Sequence, residues 1–170
     1  ELGVSFVLIG HSERRQYLGE TDEMIGKKMR QAFQSALTPV LCVGETAKER
    51  QQGKTQEIIA QQLQTALKGV LIPSGAQLFI AYEPRWAIGT GVAATPEDAV
   101  IVHQKIRQCV LKTVPNVRTE NLHVLYGGSV DGSNAYTFLR EKEVDGVLVG
   151  GASVKLTQMQ EVLFAAMEAM

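Results

Sequence analysis

The sequence predicts an α/β fold in which short parallel strands alternate with amphipathic helices around one core. Three observations carry that expectation. Five short apolar runs, Val4–Ile9, Pro39–Val43, Leu78–Tyr82, Leu122–Tyr126 and Gly146–Val149, are continuous rather than alternating with polar residues, as strands buried on both faces are. A stretch with helical period follows each run, so successive strands are joined by right-handed parallel crossovers. Each run also ends in polar or glycine residues, and the carboxyl ends of parallel strands are where barrels and doubly wound sheets place their sites.

In chain order, Val4–Ile9 ends at Gly10-His11-Ser12-Glu13-Arg14-Arg15 and is followed by a helix around Met24–Ala36. Pro39–Val43 ends at Gly44-Glu45, with a helix around Thr55–Leu67 behind it. Leu78–Tyr82 delivers Glu83 and Pro84, and the next helix covers Pro96–Leu111. Its start is marked by Thr95 as the N-cap, Pro96 at the first helical position and Asp98 three residues after the cap. Leu122–Tyr126 ends at Gly127-Gly128-Ser129 before a helix around Asn134–Leu139, and Gly146–Val149 ends at Gly150-Gly151. A last helix runs from Leu156 to the C-terminus. Its apolar stripe, Val162, Leu163, Ala166, Met167 and Met170, has the 3.6-residue period of a face packed on the core. The expectation is five β/α units in one domain spanning 1–170, with no linker or second-domain boundary.

Composition narrows the function classes. The 170 residues are 45% hydrophobic and 21% charged, ordinary values for a globular protein. A net charge of −1 offers no basic field for nucleic acid or an acidic membrane. No apolar run approaches the ~18 residues of a membrane span, and no basic segment with a signal core opens the chain. Cys42 and Cys109 form no metal or redox spacing and read as reduced core thiols, which suits the cytoplasm.

The stretch Ala81-Tyr-Glu-Pro-Arg-Trp-Ala-Ile-Gly-Thr-Gly91 holds the most chemistry. Glu83 stands at a strand end, Pro84 stiffens the exit, and Gly89 and Gly91 can absorb a large backbone change. This is the layout of a catalytic base with a hinged lid behind it; an exposed Glu in an ordinary loop is the plainer alternative. His11 is by default a structural hydrogen-bonder. If a helix begins just beyond it, the positive helix end disfavours the imidazolium, and a neutral ring can donate to a carbonyl oxygen. A carboxylate base with a neutral electrophile is equipment for moving a proton beside a carbonyl. The endings at Gly127-Gly128-Ser129 and Gly150-Gly151 are each explained by tight βα turns, yet on successive strands they also read as an anion cradle for phosphate. Gly89-Thr-Gly91-Val-Ala-Ala94 fits a loose dinucleotide fingerprint, but six residues separate it from the strand and the helix starts only near Pro96, which argues against that ligand. His103 and His123 are assigned structural or surface roles. Arg14 and Arg15 are expected to be structural or interface charges, with Glu13 or Glu45 as candidate partners.

The segments Ile9-Gly-His-Ser-Glu-Arg-Arg15, Pro39-Val-Leu-Cys-Val-Gly-Glu45, Ala81 to Gly91, Tyr126-Gly-Gly-Ser129 and Val149-Gly-Gly-Ala-Ser153 resemble, in order and spacing, the triosephosphate isomerase family. The resemblance covers essentially the whole chain. It implies a TIM (β/α)8 barrel of which these five strands are the fourth to eighth. It implies interconversion of dihydroxyacetone phosphate and D-glyceraldehyde 3-phosphate through an enediol(ate), in glycolysis and gluconeogenesis, with no metal or cofactor. The family is itself the standard instance of a glutamate base paired with a neutral histidine, and by resemblance Glu83 is the base and His11 the electrophile. Gly89, Ser129, Gly150 and Gly151 then bind the substrate phosphate, and Pro84 to Gly91 is the lid. Tyr126 resembles a residue that braces the closed lid, Cys42 matches a packing cysteine, and Ser12 and Glu13 match supporting residues. The partners implied are the triose phosphate substrate and, at full length, a second copy in a cytoplasmic homodimer; neither nucleic acid nor membrane is implied.

One departure matters as much. The family's first three β/α units, with the first-strand Asn and Lys, have no counterpart here, and a start at Glu1-Leu2-Gly3 without Met is expected of a cut chain. Lost stabilisers of that kind typically cost about 3–4 kcal/mol of transition-state stabilisation each. The 170 residues alone are therefore expected to be inactive and poorly stable. The alternatives are a non-catalytic partner of the same family or another phosphate-binding β/α-barrel enzyme.

Overall fold

Strand and helix alternate as the apolar pattern requires, in a computed structural model that describes residues 3–88 and 94–169. The order is β1 (Phe6–Ile9), α1 (Ser12–Tyr17), α2 (Asp22–Gln34), β2 (Thr38–Val43), α3 (Ala47–Gln51), α4 (Thr55–Leu67), β3 (Leu78–Tyr82), α5 (Pro96–Thr113), β4 (Leu122–Tyr126), α6 (Ala135–Leu139), β5 (Gly146–Val147) and α7 (Leu156–Ala169). The strands form one sheet in the order β1-β2-β3-β4-β5, every pair parallel. A doubly wound sheet reverses its strand order at a switch point. This sheet never reverses, so it winds in one direction, as a barrel wall does.

Period-two alternation divides the strands between two faces. Leu41 and Val43 of β2, Leu78, Ile80 and Tyr82 of β3, and Val124 and Tyr126 of β4 belong to the large core that also holds Ile25 and Met29 of α2 and Ile59 and Leu63 of α4. Val40, Cys42 and Ala81, with Phe79, Leu125 and Leu148 against them, form a smaller cluster on the opposite face. The helices therefore cover one side, and the other side is what a barrel would enclose.

The sheet is open rather than closed, with β1 and β5 as its edges. The edge strands are also shorter than the apolar runs that announced them, having a partner on one side only. The stripe of α7 is not all core. Val162 and Ala165 are buried, but Leu163 and Met167 are 52% and 67% exposed. This helix packs against α6, while its other flank borders an apolar groove of ≈ 380 Å³ along β5 that no element fills among the described residues. Met170 lies outside the described residues.

His103 makes the core sensitive to acid. It is fully buried on α5. Its Nδ1 lies 3.0 Å from the Glu143 carbonyl, which can only accept, so the proton sits on Nδ1. Nε2 is buried with no hydrogen-bond partner among the described residues, and the ring stands edge-on to Tyr82 at 6.1 Å. Burial, reinforced by the charge of Arg107, lowers the imidazole from 6.5 to about 4, against the opposing pull of the Glu143 carbonyl and Asp145. The folded state thus binds this proton less well than the unfolded chain. The stability this group protects is whole above pH 6.5 and is lost as pH falls toward about 4. Chemical denaturation at pH 7 and pH 5 is expected to differ by about 2 kcal/mol from this group. His103→Gln should flatten that difference, and an unchanged acid limb in the variant would remove His103 as its source.

Candidate active site

Parallel pairing brings the carboxyl ends of all five strands to one edge, and the ladder runs on past the strands themselves. Glu83 N–H donates to the Val43 carbonyl at 2.7 Å, Arg85 N–H to the Glu45 carbonyl at 3.1 Å, and Gly127 N–H to the Tyr82 carbonyl at 2.8 Å. The backbone that carries Glu83 is therefore held from both sides. Beside it, Gly44 is gripped by Gln62 of α4, which accepts from the Gly44 N–H at 2.9 Å and donates to its carbonyl at 3.1 Å. A Cβ on Gly44 would lie 1.7 Å from the Glu83 carbonyl oxygen. Only glycine lets these two loops approach so closely.

Glu83 is 2% exposed. One carboxylate oxygen accepts from the Ser12 N–H at 2.8 Å, and the other lies 3.3 Å from His11 Nε2. Burial raises the carboxyl above the ordinary glutamate range; His11 and the Ser12 N–H oppose it without cancelling it. A carboxyl moved in that direction is a stronger base when ionised. His11 caps α1, which begins at Ser12, and its Nδ1 accepts from the Glu13 N–H at 3.4 Å. That contact selects the tautomer with hydrogen on Nε2, the atom turned toward Glu83.

His11 and Glu83 line a cavity of ≈ 550 Å³ together with Gly127, Gly128, Ser129, Gly150 and Gly151. A Cβ built on Gly150 or Gly151 would meet nothing within 4 Å, so both backbones face open space. The Ser129 hydroxyl donates to the Ala87 carbonyl at 2.8 Å. The Tyr126 hydroxyl accepts from the Ala94 N–H at 3.2 Å, and its ring stacks on Phe138 at 4.0 Å. Four of the phosphate and catalytic positions named from sequence, His11, Ser129, Gly150 and Gly151, thus share one cavity with Glu83, while Gly89 lies outside the described residues. Cys42 is buried on the concave face; burial and the neighbouring Glu83 charge push its thiol well up, so it packs rather than reacts.

The arginine partners differ from expectation. Arg14 pairs with Glu20 at 3.1 Å and Arg15 with Asp22 at 2.6 Å. Arg15 also donates to the carbonyls of Gly10 and Cys42, at 2.8 and 3.1 Å, stapling the ends of β1 and β2 together. Glu45 is fully buried and is taken instead by the Tyr82 hydroxyl at 3.1 Å and the Trp86 indole N–H at 2.9 Å. Gln62 went unnoticed in the sequence, although a lone amide between Ile59, Leu63 and Ala66 on the buried face of α4 was a signal. Among the described residues, no group of three or more His, Cys, Asp and Glu could hold a metal ion, and no helix is long and apolar enough to cross a membrane.

A family model described as triosephosphate isomerase matches residues 1–166. The chain belongs to the triosephosphate isomerase family. It is 48% identical over 155 residues to triosephosphate isomerase of Alkaliphilus metalliredigens, a match covering 91% of this chain and 62% of the relative. Over 156 residues it is 44% identical to the enzyme of the same name from Carboxydothermus hydrogenoformans and 43% identical to that from Thermus thermophilus, each match covering 92% of this chain and 62% of the relative. The chain therefore spans about 62% of the length of these triosephosphate isomerase relatives.

Gly44→Ala tests the loop contact that holds Glu83. The added methyl must drive the Glu83 peptide away, and overpacking of this kind typically costs about 1–3 kcal/mol. Urea denaturation is expected to register at least that loss, and a variant with the parent's midpoint would refute the close approach.

Proposed function

We propose that the complete protein carrying this chain is a triosephosphate isomerase, interconverting dihydroxyacetone phosphate and D-glyceraldehyde 3-phosphate, and that the five strands are the fourth to eighth of its barrel. The observation that carries the reading is the buried Glu83 carboxylate, 3.3 Å from His11 Nε2, on a cavity also lined by the open backbone of Gly150 and Gly151. In the forward direction Glu83 accepts a proton from C1 of dihydroxyacetone phosphate. His11 Nε2–H hydrogen-bonds the carbonyl oxygen as negative charge develops on it, and proton exchange between the two oxygens allows the enediol(ate) to collapse either way. Glu83 then returns a proton to C2. Ser129, Gly150, Gly151 and Gly89 hold the phosphate, the first three lining the same cavity as the base. Residues 84 to 91 cover the substrate and exclude water that would promote phosphate loss from the intermediate. For the complete protein this reading carries with it a cytoplasmic homodimer acting in glycolysis and gluconeogenesis.

The open edges β1 and β5 favour a second reading for the 170 residues by themselves: a unit that carries base and electrophile but turns nothing over until the remaining wall is supplied. Barrel closure is what holds separate strand ends in register.

Glu83→Asp in the full-length protein decides the role of the base. Retracting the carboxylate by one methylene misplaces it by ~1 Å, a change that can cost ~10²-fold in turnover. The expected result is a kcat lowered by about that factor with KM nearly unchanged, measured with a coupled isomerase assay. Parental turnover in this variant would take Glu83 out of the role.

A further inference from the structure

The segment that carries Glu83 leaves the core at Pro84, and the chain is next capped at Thr95, ahead of α5. One side chain from elsewhere touches both sides of it. The Arg50 guanidinium carbon, on the short helix α3, lies 4.0 Å from the centroid of the Trp86 ring. Its Nη2 donates to Asp98 at 2.9 Å, in the first turn of α5. The same indole is held at its rim, where Nε1–H donates to the buried Glu45 carboxylate at 2.9 Å. The stretch between β2 and α4 thus supplies a carboxylate for the edge of Trp86 and a cation for its face.

Arg50 and Asp98 are 37% and 34% exposed, so as an ion pair alone they add little to stability. A planar guanidinium can stack on an aromatic face while donating sideways to a carboxylate; an ammonium cannot match both geometries. Trp86 is three residues beyond Glu83, and Pro84 lies between them. A shift of the indole is therefore passed to the peptide that carries the carboxylate with little slack.

We infer that Arg50 is a positioning residue: by clamping Trp86 against Glu45 and Asp98 it sets where the Glu83 exit sits relative to the start of α5. The inference rests on the isomerase reading for its effect on turnover, and on the Arg50–Trp86 contact alone for its effect on the indole. Arg50 does not line the cavity.

The test uses the full-length protein, with any Trp outside these residues replaced by Phe, so that Trp86, the one Trp of this chain, reports alone. Arg50→Met removes the charge and the plane but keeps an unbranched stem. Acrylamide quenching of Trp86 is expected to rise, and kcat to fall by about three- to tenfold, as for loss of a partly desolvated cation–π contact. KM should change less than kcat, and the melting temperature should stay within a few degrees. Arg50→Lys should recover part of both readouts. Unchanged quenching overturns the inference, and raised quenching with unchanged kcat overturns it as well, since Arg50 would then only shield the ring. Should Arg50→Met fail to fold, Asp98→Asn carries the same comparison: quenching and kcat shift in the same directions by a smaller factor, or the inference falls. A parent protein with no isomerase turnover overturns the proposed function instead, and the quenching comparison still decides whether Arg50 holds Trp86.

Discussion

A carboxylate that is almost fully buried, with a backbone N–H and an imidazole nitrogen among its partners, constrains everything around it. Glu83 receives Ser12 N–H at 2.8 Å and faces His11 Nε2 at 3.3 Å. Both come from the start of α1, just after β1, whereas Glu83 comes from the end of β3, so β2 must hold these two strands at a fixed spacing and in register. Arg15 tightens that spacing by donating to the carbonyls that end β1 and β2. Gly44, with no side chain, lets the loop after β2 lie directly on the Glu83 peptide. The elevated carboxyl is the electrostatic result of this burial.

The same winding that gathers the strand ends leaves two edges. At β1, Phe6 is 55% exposed and Leu8 nearly as much, and on the β5 side Leu163 and Met167 of α7 are uncovered. Parallel strands are ordinarily covered on both faces and paired on both sides. The match to 62% of each relative's length accords with a wall that is present in part. Glu83 does not share this exposure, because its carboxylate is buried and partnered by His11 and Ser12.

Much of this was legible in the sequence. Continuous apolar runs located all five strands, since burial on both faces leaves no room for polar alternation. Thr95-Pro96 fixed the start of α5 to the residue, because capping depends on the side chain at that position. Glu83, His11, Ser129, Gly150 and Gly151 stood out because each follows a strand. The short helices α1 and α3 left no periodic signal in so few residues. The partners of Arg14 and Arg15 were missed because Glu20 lies in the connection from α1 to α2 and Asp22 at the start of α2, and the pattern does not encode how that connection folds back. The exposure of Leu163 and Met167 was hidden for another reason: periodicity reports that a face is apolar and not whether anything covers it. The grip of Gln62 on Gly44 and the stacking of Arg50 on Trp86 depend on tertiary distances that spacing cannot supply.

The central claim is that Glu83 carries the proton between two carbons of the substrate. Proton NMR of dihydroxyacetone phosphate turned over by the full-length protein in D₂O tests it directly. A carboxylate that accepts a carbon-bound proton exchanges it with solvent, so deuterium should enter at the carbon-bound positions of substrate and product. In Glu83→Gln, whose amide cannot accept that proton, deuterium entry should cease while inorganic phosphate still binds. Deuterium entry in Glu83→Gln at the parent's rate would contradict the account.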